Sequence, residues 1–260
     1  MNNSLTLIED KSLNSHEIVE NFMIMANLSV GETLSKSKLP IIYRHHENPN
    51  IININKLNKS LSLLGFSSGK KLTLPCHFNE ILNLHTDTNI KNLISIIILK
   101  NMSQAYYTSE ISGHFGLSLN KYVHFTSPIR RYSDLLVHRL LHLYLGWSSD
   151  KKGKFHKLKY DQISAHISST ERKSIKAERQ TNLRYLASYM SRNINKNFDA
   201  IIYAIMKNKI FFFLKDIHIQ GECLVEDLNN YQRKIFKRKK KLNKTFVSPD
   251  VGDLINVKLI

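Results

Sequence analysis

The chain has 260 residues, 42% of them hydrophobic, which is enough apolar material for one large domain or two smaller ones and too much for a disordered tail. Its 38 Lys and Arg against 21 Asp and Glu leave a formal charge of +17 before any of the 12 histidines is counted. Such an excess selects a polyanionic partner, nucleic acid first and an anionic membrane surface second, while a membrane span is excluded by the shortness of the most apolar run, LISIIIL at 93–99, against the roughly 20 residues a bilayer demands.

The N-terminal stretch MNNSLTLIEDKS lacks the basic and long apolar regions of a signal peptide, so a cytoplasmic location and no membrane partner are expected. Cys76 and Cys223 stand alone, with no CxxC or Cys/His spacing. Neither a disulfide framework nor a zinc site is expected from them.

Residues 13–38 carry apolar side chains at helical spacing (Ile18, Phe22, Met25, Ala26, Val30, Leu34), with Asn14 and Glu17 spaced as a capping box and Pro40 as the stop. IIYRHHENPN reads as an extended piece and a turn, and a second helix is predicted near 51–64, closed by Gly65. Shorter helical patterns follow at 77–84 and 88–101. From 104 to 125 the runs AYY, FGLSL and YVHF, broken by Gly113 and Gly116, predict short strands or tight connections.

The stretch HFTSPIRRYSD at 124–134 opens another helix, with Ser127 as N-cap, Pro128 as first helical residue and Gly146 as the stop. A polar loop at 147–157 precedes a long helix from about 158 to 195, with Ile163, Ile167, Leu183, Leu186 and Met190 spaced for packing. After Asn197 the period becomes that of strands, in FDAIIYAIM, KIFFFL, HIQGECLV and GDLINVKLI. Four or so strands in the last 63 residues suggest a small all-β barrel such as an oligonucleotide-binding fold. The expected boundary lies near residue 195, giving a helix-rich α/β (α+β) domain at 1–195 and a small all-β OB-fold barrel at 196–260.

Ser127 and Pro128 would place Arg130 and Arg131 in a first helical turn, where the dipole is positive and cations are unfavourable. Either an external anion such as a phosphate completes that turn, or the arginines lie on the surface or pair with Asp134 along the same face; spacing leaves both open. His114, Phe115, Tyr122, His124 and Phe125 crowd just upstream, a composition that suits base stacking beside phosphate contacts. Phe115 and Phe125 also fit a strand core. The segment RKIFKRKKKLNK at 233–244, with Lys237, Arg238 and Lys239 at its centre, has eight Lys or Arg in twelve positions and reads as a solvated loop or a phosphate-tracking surface.

Metal-dependent phosphodiester hydrolysis needs clustered carboxylates, yet the aspartates here are scattered and no DxD occurs. No P-loop, dinucleotide fingerprint, GxSxG or HExxH is present either.

GHFGLSLNKYVHFTSPIRRYSDLLVHRLL at 113–141 closely resembles the signature of the ribonuclease II and ribonuclease R family of processive 3′→5′ exoribonucleases. IVENFMIMAN at 18–27, IYRHHENPN at 42–50 and ERKSIKAER at 171–179 match further family motifs in the right order. The resemblance implies the C-terminal part of an RNB catalytic domain followed by a divergent, incomplete S1-type RNA-binding domain. It implies hydrolysis of single-stranded RNA to 5′-mononucleotides with Mg²⁺, whose aspartate ligands belong to an N-terminal half absent from this chain and expected on a separate partner chain. It also implies that Arg130 contacts the phosphate near the scissile bond, and that Glu20 and Glu178 hold the last nucleotides at the 3′ end. Ser133 replaces the family's proline after RRY. An RNA-binding module or inactive remnant without catalysis is the alternative expectation.

Overall fold

In a computed structural model, the structure describes residues 6, 8, 13–63, 72–83, 88–147, 157–206, 209–215, 217, 219–224, 226 and 251–260. Gly65 and the basic segment 233–244, with Lys237, Arg238 and Lys239, lie outside these residues. The chain is a helix-rich α+β protein that divides into two compact units, one formed by Met1–Asn48 and Ser103–Ser188, the other by Pro49–Met102 and Tyr189–Ile260.

In the first unit, helix α1 (Asn14–Ser35) starts one residue earlier than a capping box at Asn14 requires. The Leu13 N–H donates to the His16 ring at 3.4 Å, so Leu13 takes the cap and Asn14 is already helical. The expected packing stripe also differs: Leu34 is buried, but Ile18, Phe22 and Met25 are exposed, Phe22 by 70%. The reason is that α1 is seated mainly through its C-terminal half. Gly31 meets the chain so closely there that a Cβ would lie 2.3 Å from the Lys121 carbonyl oxygen, a contact only glycine permits.

Strands β1 (Tyr43–His45) and β2 (Tyr106–Thr108) pair antiparallel, with Arg44 opposite Tyr107. The stretch 104–125, expected to hold short strands or tight connections, holds β2 and then, over 109–125, mostly irregular connections with one 3-10 turn at Phe115–Leu117. Its strand-like part is the backbone beside β1, where the Arg44 N–H donates to the Tyr122 carbonyl at 2.9 Å. Helix α5 (Tyr132–Tyr144) presents Leu136, Val137 and Leu140, and α6 (Lys157–Met190) presents Tyr160 and Ile167, at helical spacing to one core with Leu34, Ile42, Tyr43, Tyr107 and Val123. Gly146, at φ +71°, ends α5 as its sequence predicts. Burying a side chain such as Leu140 or Val137 there stabilises the unit by about 1.5–3 kcal/mol.

The start of α5 departs from expectation in a way that matters for the site. Pro128–Arg130 form a turn in which the N–H groups of Arg130 and Arg131 both donate to the Ser127 carbonyl, at 3.3 and 3.1 Å. Arg131 is extended (φ −126°, ψ 121°) and caps a helix that begins only at Tyr132. The two arginines therefore precede the first helical turn, and Asp134 within that turn supplies the negative charge that the helix dipole favours.

In the second unit, α2 (Ile51–Leu63) and α3 (Pro75–Asn83) pack on α4 (Thr88–Asn101) through buried Leu57, Leu61, Phe78, Ile81, Ile94 and Ile97. β3 (Asn197–Met206), β4 (Lys209–Leu214), β5 (Gln220–Leu224) and β6 (Leu254–Lys258) form an antiparallel sheet in the order β5-β4-β3-β6. Among the described residues the sheet is open, with β5 and β6 at its edges. One face buries Ala200, Ile202, Ile210, Phe212 and Ile255. Tyr203, from β3, lies under the Lys100 ammonium at 3.7 Å.

Candidate functional site

The first unit holds an open cleft of about 600 Å³. One wall is the α1 face His16, Val19, Glu20, Met23, Ile24 and Asn27, and the other elements contribute Arg44 from β1, His114, Tyr122 and His124 from the irregular stretch, and Arg131. Glu20, His114 and Arg131, all expected at the site, are thus brought together. Arg130 is exposed on the neighbouring turn and Glu178 is exposed on α6, and neither lines this cleft.

Asn27 fixes the α1 wall. Nearly fully buried, it donates from Nδ2 to the Tyr122 hydroxyl at 3.0 Å and accepts at Oδ1 from the N–H groups of Phe125 at 2.9 Å and Thr126 at 3.2 Å. A carboxamide supplies both the donor and the acceptor that these contacts use.

Arg131 is fixed by Asp134, which is wholly buried and takes three donors: Arg131 Nη2 at 2.8 Å, the Ser127 N–H at 2.8 Å and the Ser133 hydroxyl at 3.0 Å. Of the readings that spacing left open, pairing with Asp134 is made by the second arginine. Arg131 Nε is buried without a hydrogen-bond partner among the described residues.

Arg44 is fixed from the other side. Its Nη1 donates to Glu171 of α6 at 2.6 Å, and its guanidinium lies 4.7 Å from the Tyr107 ring centre. Tyr107 is itself held by its N–H donating to Ser168 Oγ at 2.9 Å, and its hydroxyl lies 2.9 Å from His124 Nδ1. Sequence spacing did not single out Arg44, Asn27 or Glu171. Their partners are far away in the chain, and the only signal was that all three lie within the segments that match family motifs.

Two of the imidazoles, His114 and His124, are pushed toward the uncharged form. His114 accepts the Leu117 N–H at Nδ1, which leaves its proton on Nε2. Burial, then His46, then Arg44 push its pKa down to about 4. For His124, burial, then Arg131, then Arg44 push it down to about 3. His46 is consumed structurally: it accepts the Gly116 N–H at Nδ1 and donates from Nε2 to the Ser103 carbonyl. His45 donates from Nδ1 to the Gly113 carbonyl at 2.7 Å.

A divalent cation would need several oxygen ligands converging on one point. Among the described residues no group of three or more His, Cys, Asp or Glu side chains is placed to hold a metal ion, so these residues do not fit such a centre. No helix among them is long and apolar enough to cross a membrane.

The helix-rich α+β chain thus sets two guanidinium groups, two imidazoles and the Tyr122 ring around one open cleft. The RNB domain model matches residues 1–146, and the chain belongs to the RNB domain family. Ribonuclease R of Mycoplasmopsis pulmonis is 36% identical over 216 residues, covering 80% of this chain and 30% of its own length; the chain thus spans about a third of that relative. Among solved structures, Mycoplasma genitalium RNase R in complex with ribose methylated single-stranded RNA aligns with a TM-score of 0.82 at 27% identity, over 97% of this chain and 40% of that one. Yeast Ssd1, a pseudonuclease, aligns with a TM-score of 0.69 over 80% of this chain and 26% of its own; at 18% identity this is a likeness of fold alone.

Proposed function

We infer that this chain is the RNA-gripping part of a ribonuclease R-like 3′→5′ exoribonuclease, which hydrolyses single-stranded RNA to 5′-mononucleotides. The observation that carries the reading is the convergence of Glu20, His114 and Arg131 on one cleft, in a family whose structural relative was solved with single-stranded RNA. In this reading Glu20 accepts hydrogen bonds from the ribose hydroxyls of the last nucleotide, and Arg131 and His114 hold phosphate and base. Arg130, exposed beside the cleft, reaches the phosphate at the scissile bond and stabilises the charge that develops there; Glu178, like Glu20, accepts from ribose hydroxyls of the last nucleotides, and the basic segment with Lys237, Arg238 and Lys239 steers the strand. The sheet from β3 to β6 serves as an S1-type platform at 196–260, after an RNB part at 1–195. In this reading magnesium chemistry is supplied by carboxylates outside the described residues, on a separate N-terminal RNB half, in the cytoplasm.

Mixing the chain with a polypeptide bearing that aspartate-rich half tests this directly. The expected result is Mg²⁺-dependent release of 5′-mononucleotides from the 3′ end of single-stranded RNA. No release, with both halves folded, removes the exonuclease reading. A second reading, an RNA-binding module without turnover, is favoured by the lack of a metal-holding cluster among the described residues; salt-sensitive binding without hydrolysis in the same mixture would establish it.

A further inference from the structure

Arg44 is not a solvated surface cation. Its side chain is only 14% exposed, its backbone is tied into β1 and to Tyr122, and its guanidinium is clamped between Glu171 and the Tyr107 ring. It nevertheless lines the same cleft as Arg131, which approaches from the cap of α5. Tyr107, whose ring lies under Arg44, is in hydrogen-bond contact with His124, which lines the same cleft. A guanidinium has five N–H donors, and among the described contacts one side-chain carboxylate engages each arginine.

Two arginines, each held by a carboxylate and both lining one open space, are preorganised for a planar or tetrahedral oxyanion. Arg44 and Arg131 are the two guanidinium groups of the lining, and burial beside them pushes His114 and His124 toward the uncharged form. We propose that Arg44 and Arg131 together form a two-arginine phosphate clamp in the cleft, with Arg44 as a further phosphate-binding residue. The clamp rests on the RNA reading only for the identity of the polyanion; its anion chemistry follows from the geometry alone.

Two probes separate the clamp from that reading: inorganic pyrophosphate, followed through the imidazole NMR signals of His114 and His124, and a single-stranded oligoribonucleotide, followed by fluorescence anisotropy over a salt series. Arg44→Gln should weaken both by at least about tenfold, the size of one lost charged hydrogen-bond contact. It should also make the log–log salt slope for RNA shallower by about 0.7, the value of one phosphate contact. A merely structural Arg44 would leave that slope unchanged. If the single variant does not fold, Arg44→Gln with Glu171→Gln replaces the ion pair by a neutral amide pair and tests the same loss. Pyrophosphate binding through Arg44 without RNA binding upholds the clamp and removes the RNA reading. RNA binding with affinity and slope indifferent to Arg44 overturns the clamp and leaves that reading standing. If neither probe binds the folded chain, both fall.

Discussion

Arg131 Nη2 lies 2.8 Å from Asp134 Oδ1, and that carboxylate, wholly buried, also holds the Ser127 N–H and the Ser133 hydroxyl. One side chain thereby shapes the turn, sets the start of α5 and aims an arginine into the cleft. Replacing Asp134 by Ala strands a largely buried cation and a backbone donor, and should cost about 3–5 kcal/mol. Urea unfolding of the variant measures this; a loss under about 1 kcal/mol, the range of exposed ion pairs, would show that Asp134 does not organise the turn.

Asn27 ties α1 to the cleft wall through three hydrogen bonds. Asn27→Ala removes the acceptor for two backbone N–H groups and should destabilise the chain by about 2–3 kcal/mol. Asn27→Asp keeps the acceptor but loses the donor to Tyr122, so its midpoint is expected between those of the wild type and Asn27→Ala.

The close approach at Gly31 gives a steric counterpart. A Cβ 2.3 Å from the Lys121 carbonyl oxygen meets backbone, which yields less easily than a side chain, so Gly31→Ala should cost at least about 1–3 kcal/mol despite the helix propensity it gains. A neutral or raised melting temperature would contradict the seating of α1 described above.

Acid sensitivity follows from the two cleft histidines. Their native pKa values, about 4 for His114 and about 3 for His124, lie below the unfolded value of about 6.5. Between these limits the unfolded chain binds more protons, so stability rises with pH there and falls on acidification. The contribution is complete above about pH 6.5 and is lost as pH drops through about 4 and then about 3. Proton uptake on unfolding, measured as the slope of stability against pH near 5, should be smaller in His124→Gln than in the wild type; an unchanged slope would mean that His124 is not held neutral.

What spacing could and could not reveal is clear at these same residues. The helical period marked α5, and Gly146 marked its end, because both signals are local. Spacing also showed that Arg130 or Arg131 might meet Asp134, but not that Asp134 would reach back for the Ser127 N–H and delay the helix to Tyr132. The polar contacts of Asn27 with Phe125 and of Arg44 with Glu171 span 98 and 127 residues. No periodicity encodes such pairs. The stripe Ile18, Phe22 and Met25 shows the converse, since a correct helical pattern did not say which face would be covered.

The claim that the cleft grips the 3′ end of single-stranded RNA rests most heavily on Glu20, an exposed residue whose loss should leave the fold intact. Binding of two otherwise identical oligoribonucleotides, one ending in a 3′-hydroxyl and one in a 3′-phosphate, is the direct measurement. The wild type should prefer the 3′-hydroxyl, and Glu20→Ala should lower that affinity about tenfold, as expected for losing one hydrogen bond to a charged group, while barely changing the other. Equal affinity for both ends, unaffected by Glu20→Ala, would contradict a 3′-end grip in this cleft.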